Sequence, residues 1–540
     1  MSFDDKAASI RNALRNYTTE SVVNLLLKRL HTTNNQYSGL DYTWISCLLL
    51  EWALEVRPYD SAREATEYDI SVELNRLWKL QVDASNIERT TNIWLTMRTM
   101  IVQQARFQDA QTLHMYFLIR LHTILTECSR SPAIIKQFEV WTDVSFNEFF
   151  ELSIYFISRL MKNADGGTFI PYNEIVRFLC PAYSQKTVQK FLVSVGSNLY
   201  GMKESAEERR AKIGKLKPSE FFAEPNLLAR PLINAPNGVS SPHSYIASIG
   251  ISEYVLRSFK ASETERNRFR DKFTKAFECY LALILDLKGV AYTSESSIAA
   301  LYKQYAVEGK KVDFLIEDNG SNVFIDAKGV EPHQLLLLTS NPKVFKDKLA
   351  DHILKGITQA SECARILEKN AYPNLASIES RYALIATHQD FYIIDGKHLT
   401  DYLGEEHSAS LTEALGDCLE IENVFIASVA DFEGILDVCK ESQTTIDQFL
   451  AYCSKQQSQK ATSKFVMRMH IQEYGKLHQL ERSSPVGSKA IIDDFEQIHS
   501  ELVRKMSESQ NYWRSIGSHN LEAGIDEFMS NLSNLRKIAY

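Results

Sequence analysis

Two aspartates and a lysine at the ends of short apolar runs are the residues of this 540-residue chain best suited to chemistry. They lie in Lys311-Val312-Asp313-Phe314-Leu315-Ile316-Glu317-Asp318-Asn319-Gly320-Ser321-Asn322-Val323-Phe324-Ile325-Asp326-Ala327-Lys328-Gly329. Asn-Gly between two apolar runs is a strong hairpin signal, a two-residue type I′ turn. With Asn319 and Gly320 as the loop, Asp318 faces Ser321, Ile316 faces Val323, and Asp313 faces Asp326. Directly opposed residues have Cβ atoms about 5 Å apart, where like charges repel. Two facing carboxylates in an apolar hairpin therefore call for a cation. Period two puts Lys328 on the face of Asp326. Hard oxygen ligands beside a lysine suit Mg²⁺ or Mn²⁺, and the chemistry they favour is metal-assisted attack of water on a phosphodiester.

The elements that must position these residues are visible around them. A long helix is signposted from Ser262, which forms a capping box with Glu265, and Phe269, Phe273, Phe277, Tyr280 and Ile284 line one of its faces. Short apolar runs at 312–316, 323–327, 382–386, 391–394 and 424–427, with helical stretches among them, predict an α/β or α+β core. Residues 1–200 read as an all-α N-terminal domain: apolar residues recur at helical spacing in 21–30, 44–56, 112–125 and 146–161. Gly and Pro number 21 and 13, about half their usual share, which also points to a helix-rich chain. Trp44, Trp52, Trp78, Trp94 and Trp141 are expected to serve helix packing. Residues 201–225, dense in Lys, Arg and Glu, read as a charged linker or an exposed helix. The core then spans 226–445, opening with a turn at Pro236-Asn237-Gly238 and a helix start at Ser241-Pro242. A C-terminal helical region occupies 446–540.

Placed on these elements, the residues resemble the PD-(D/E)XK nuclease superfamily, the restriction-endonuclease-like fold. Asp313 matches the acid of the first strand, Asp326-Ala327-Lys328 matches the D-x-K of the second, and Glu278 sits on the preceding helix where the family places an acid. Gln359, in Lys355-Gly356-Ile357-Thr358-Gln359-Ala360, is similar to the auxiliary Gln of several branches. Cys363 stands where those branches carry Tyr, and Val312 precedes Asp313 in place of Pro. The resemblance covers residues 262–395. It implies a core with a mixed sheet, in which Asp313, Asp326, the carbonyl of Ala327 and Glu278 hold Mg²⁺ or Mn²⁺. Lys328 would orient the attacking water and stabilise charge in the transition state. The implied substrate is DNA, and the architecture resembles prokaryotic restriction or anti-phage defence nucleases by analogy. A non-catalytic scaffold with a vestigial nuclease domain and an RNA-directed nuclease are the alternatives. The helical regions would carry protein partners or self-association.

The net charge of −8 argues against a globally basic polyanion binder, so phosphate binding calls for local positive charge. From 257 to 275, Arg257, Lys260, Arg266, Arg268, Arg270, Lys272 and Lys275 supply it against Glu263, Glu265 and Asp271, and Lys303, Lys310, Lys311, Lys343, Lys346, Lys348 and Lys355 cluster near the site in sequence. No phosphate-loop motif, H-E-x-x-H or nucleophile-elbow pattern occurs. The eight cysteines are scattered, which predicts reduced, mostly buried thiols rather than a zinc cluster or disulfide framework. No run approaches the roughly 18 apolar residues of a membrane span, and the N-terminus lacks a signal-peptide core. A cytoplasmic protein without membrane contact is expected.

Overall fold

The apolar periodicity of the first half becomes a succession of helices in the structure, a computed structural model that describes residues 2–32, 42–85, 90, 92–108, 111–129, 131–161, 168–262, 264–318, 320–480 and 489–538. The Thr43–Glu55 helix is buried on all sides, two glutamates included. Glu51 is satisfied by the amide of Leu227 at 3.1 Å and the side chain of Asn226 at 3.0 Å. Glu55 is held by Arg11, Arg209 and Arg210. A buried carboxylate is tolerated only with such partners, and this draws in the segment expected as a charged linker. Residues Leu199–Ile213 form a helix, and Arg209 and Arg210 reach Glu55 at 2.5 and 2.9 Å.

The N-terminal region is not all-α. Strands β1 (Phe169–Pro171) and β2 (Gly196–Ser197) join β3 (Leu232–Asn234) and β4 (Gly238–Ser240) in a small sheet of order β1-β4-β3-β2. Strands of two or three residues are too short to print a period. The expected turn at Pro236–Gly238 connects β3 to β4. The helix expected at Ser241-Pro242 begins instead at Ser244, capped by the ring of His243. Ser241 turns its hydroxyl to the carbonyl of Pro231 at 2.9 Å and so does not cap. Of the tryptophans, Trp44 and Trp52 are buried, whereas Trp94 and Trp141 are exposed.

The main sheet has five strands in sequence order: β5 (Thr293–Ser294), β6 (Phe314–Asp318), β7 (Ser321–Lys328), β8 (Arg381–Thr387) and β9 (Val424–Ser428). The pairs β5–β6 and β6–β7 are antiparallel, β7–β8 and β8–β9 parallel, so the molecule is of mixed α/β class. Four of the five apolar runs are strands. Residues 391–394 are a buried loop whose Phe391 and Tyr392 carbonyls accept from the guanidinium of Arg98 at 2.6 and 3.3 Å. Its backbone is satisfied there without a full ladder.

Both sheet faces are covered, with period-two alternation deciding which side chain goes where. Phe314, Ile316, Val323, Ile325 and Leu384 join a core that includes the Arg266–Lys288 helix and helices from both ends of the chain. Leu315, Phe324, Ala383, Ile385 and Ile426 join a second core with the Lys355–Lys369 helix. Phe269, Phe273, Phe277, Tyr280 and Ile284 are all buried, as the helical spacing predicts. Ser262 accepts from the amide of Glu265 at 3.2 Å, and the helix proper starts one residue later. All eight cysteines are free and seven are buried, Cys279 being exposed. Among the described residues, no helix is long and apolar enough to cross a membrane.

Candidate metal centre

The β6–β7 ladder follows the expected register from Asp318↔Ser321 to Phe314↔Ile325. Asn319 of the turn lies outside the described residues. At Asp313 the register changes. Its amide donates to the carbonyl of Ile325 at 3.1 Å, the residue already paired with Phe314. Two residues of one strand then stand against one of the other, a bulge that re-aims a side chain. The expected direct opposition of Asp313 and Asp326 is therefore lost. On its other edge β6 pairs with β5, which sets Ser294 against Phe314 and gives the amide of Glu295 to the carbonyl of Asp313 at 2.9 Å.

The Asp313 carboxylate accepts the amide of Ala327 at 2.6 Å. It also gathers with two glutamates: one oxygen each from Glu278, Glu295 and Asp313 lie within 4.8 Å of one another. Glu278 comes from the Arg266–Lys288 helix, which approaches the end of β7 closely because Gly329 has no side chain; a Cβ there would stand 2.9 Å from Cα of Thr274. Burial, then the charge of Asp326, push the Asp313 carboxyl up to about 8, against the opposing amide of Ala327. Burial, then Glu295 and Asp326, raise Glu278. Burial is the larger cause in both, and the neighbouring carboxylates add to it.

Asp326 takes a different position from the one expected. Its carboxylate is fully buried, 0 % exposed, and forms an ion pair with Lys328. Neither of its oxygens receives a hydrogen bond of good geometry, and burial raises its pKa while Lys328 lowers it. Lys328 also donates to Oε1 of Gln359 at 2.9 Å, and Nε2 of Gln359 donates to the carbonyl of Lys311 at 3.1 Å. All five expected side chains thus come to one end of the hairpin, in two groups: Glu278 with Asp313, and Asp326 with Lys328 and Gln359. Ala327 contributes its amide to Asp313.

Glu295 was not among the expected residues. It sits at the first position of the Glu295–Gln304 helix, with Ser294 as cap accepting from Ser297 at 3.3 Å. Thr293-Ser294-Glu295 carries a helix-start signature, but a two-residue strand gives no sign of the register that brings Glu295 to Asp313.

A cleft of about 580 Å³ opens over this cluster, with Lys272, Lys275, Ser131, Tyr292 and Phe314 in its walls beside the three acids. Lys275 is exposed, and Lys272 donates to the hydroxyl of Ser131 at 2.5 Å. Several of the expected phosphate-binding cations are paired with acids: Arg257 with Glu253 and Glu224, Lys260 with Glu331, Arg268 with Glu265, Arg270 with Asp271 and Lys310 with Glu362. Comparison of the chain with protein-family models, with curated proteins and with solved structures finds no match.

Proposed function

We propose that this protein is a metal-dependent nuclease that hydrolyses DNA phosphodiester bonds through a PD-(D/E)XK, restriction-endonuclease-like core. The observation that carries the reading is convergence: Glu278, Asp313, Asp326, Lys328 and Gln359, spread over more than eighty residues of sequence, meet at the end of β7. The sheet supports it as a frame, with an antiparallel hairpin on one side, parallel strands on the other and a helix on each face.

The donor set fits a divalent cation. Three carboxylates gather within reach of one ion, two of them with raised pKa, and the buried oxygens of Asp326 lack well-directed donors. Glu278, Glu295, Asp313 and Asp326 are the residues that would hold it. Bound there, Mg²⁺ or Mn²⁺ would neutralise the acids and supply Lewis-acid polarisation of the phosphodiester. Lys328, fixed between Asp326 and Gln359, presents a positive charge that needs no reorganisation as negative charge develops on the phosphate. Gln359 keeps the ammonium in place by accepting from it while anchored to the Lys311 carbonyl. Restriction or anti-phage defence is the setting that the architecture suggests by analogy.

The test is EDTA-sensitive degradation of plasmid and linear DNA, with RNA in parallel. Asp326→Ala and Lys328→Ala are expected to abolish Mg²⁺-dependent cutting. Undiminished cleavage by both variants rejects the site, and cleavage of RNA alone rejects DNA as the substrate.

A further inference from the structure

The cleft over the acids has two ends of opposite charge. Glu278, Glu295 and Asp313 line one part, and Lys275 and Lys272 stand about one and two turns from Glu278 on the same helix. The remaining wall is neutral: the hydroxyls of Ser129, Ser131 and Ser296, and the ring of Tyr292. That ring packs edge-on against Phe314 with centroids 5.2 Å apart, so it is held in place before any ligand arrives. Cys128, Ser129 and Ser131, contributed by the N-terminal region, also line it. At about 580 Å³ the space is within the range of small-molecule pockets, about 300–1,000 Å³. It is thus of a size for one nucleoside.

We infer that this cleft binds one unpaired nucleotide next to the scissile phosphate, making the substrate single-stranded DNA or a strand with an unpaired end. The inference rests on the proposed function, because the acids at the cleft's negative end are those that would hold the metal. A duplex keeps its bases stacked inside and offers such a pocket only its backbone. A base freed from the stack can lie against Tyr292 and meet the serine hydroxyls with its polar edge, its own phosphate running towards Lys272 and Lys275. Stacking of a base on an aromatic ring is sequence-tolerant and strong enough to set strand preference. The lysines add a salt-dependent, sequence-independent attraction for phosphate.

The experiment is binding of a fluorescein-labelled 20-nucleotide single strand, and of the same sequence as a blunt duplex, to the full chain with Ca²⁺ in place of Mg²⁺. The single strand is expected to bind at least tenfold more tightly. Tyr292→Ala is expected to reduce single-strand affinity about tenfold and to leave duplex affinity unchanged, and Lys275→Glu to reduce single-strand affinity about tenfold. Lys275 is exposed, so its variant keeps the test open if loss of the Tyr292 ring disturbs the fold. Equal affinity for strand and duplex, or single-strand affinity untouched by both variants, overturns the inference. Strand preference without Mg²⁺-dependent cleavage of either DNA supports the pocket and rejects the nuclease. Cleavage of strand and blunt duplex at equal rates does the reverse.

Discussion

Gly356 lies directly against the carboxylate of Asp326: a Cβ added there would stand 2.7 Å from Oδ2 and 2.9 Å from Cδ1 of Ile385. Gly356 sits inside the Lys355–Lys369 helix and is not among the residues with positive φ, so backbone conformation does not demand glycine. Helix propensity favours alanine by roughly 1 kcal/mol; the acid beneath it does not. Gly356→Ala is therefore expected to displace Asp326 and its partner Lys328, lowering Mg²⁺-dependent cleavage at least tenfold while the melting temperature moves little. Parallel cleavage assays and thermal melts check this. Wild-type cleavage by the variant would show that Asp326 need not occupy this position.

Gln359 makes one hydrogen bond to a charged group and one to a backbone carbonyl. Hydrogen bonds to charged groups contribute about 1.5–3 kcal/mol, and if that energy holds Lys328 in its reactive position, Gln359→Leu slows cleavage by about 10- to 100-fold. Gln359→Glu retains an acceptor for Lys328 but loses the donor to Lys311, and its rate should fall between the two. Initial rates at saturating Mg²⁺ measure both. A Leu variant as fast as wild type would leave Gln359 as a packing residue.

Glu295 is exposed, so removing its charge has little to disturb in the fold. Glu295→Gln is expected to weaken Mn²⁺ binding tenfold or more while leaving stability within about 0.5 kcal/mol, the usual span for surface substitutions. Calorimetric titration of Mn²⁺ against the two proteins decides it. Equal affinities would confine the metal to the buried acids.

What the sequence carried and what it did not divide along a physical line. The β6–β7 register was legible because an Asn-Gly turn and alternating apolar residues are both local signals. The bulge at Asp313 and the register of the two-residue β5 beside it were not, since neither leaves a period in the sequence. Glu295 was missed for the same reason. Residues 391–394 look like a strand because burial selects apolar residues in loops and strands alike; the partner that satisfies this backbone, Arg98, is nearly three hundred positions away. The arginines of 201–225 read as solvated because their acid, Glu55, lies inside an apolar helix.

The acid cluster also fixes a pH dependence. In the metal-free protein the Asp313 carboxyl is pushed up to about 8 from an ordinary 3.8, first by burial and then by Asp326. Between those values the folded chain keeps a proton that the unfolded chain has released. The stabilisation is thus fully present below about pH 4 and is lost as pH rises through about 8. Glu278 shifts in the same direction, and the buried Glu51, at about 7, adds a similar slope elsewhere in the fold. Asp313→Asn removes one contribution and leaves Glu51 as it was, so the difference between the two proteins isolates the cluster. In EDTA the wild-type melting temperature should fall between about pH 6 and 8.5, and the variant's should fall less, by about 1–3 °C. Excess Mg²⁺ should reverse the trend in the wild type alone, because a cation on these oxygens displaces the proton and binds more tightly as pH rises. Melting curves for the two proteins that stay parallel across this range, with and without Mg²⁺, would mean that Asp313 is ionised throughout and that no cation depends on it.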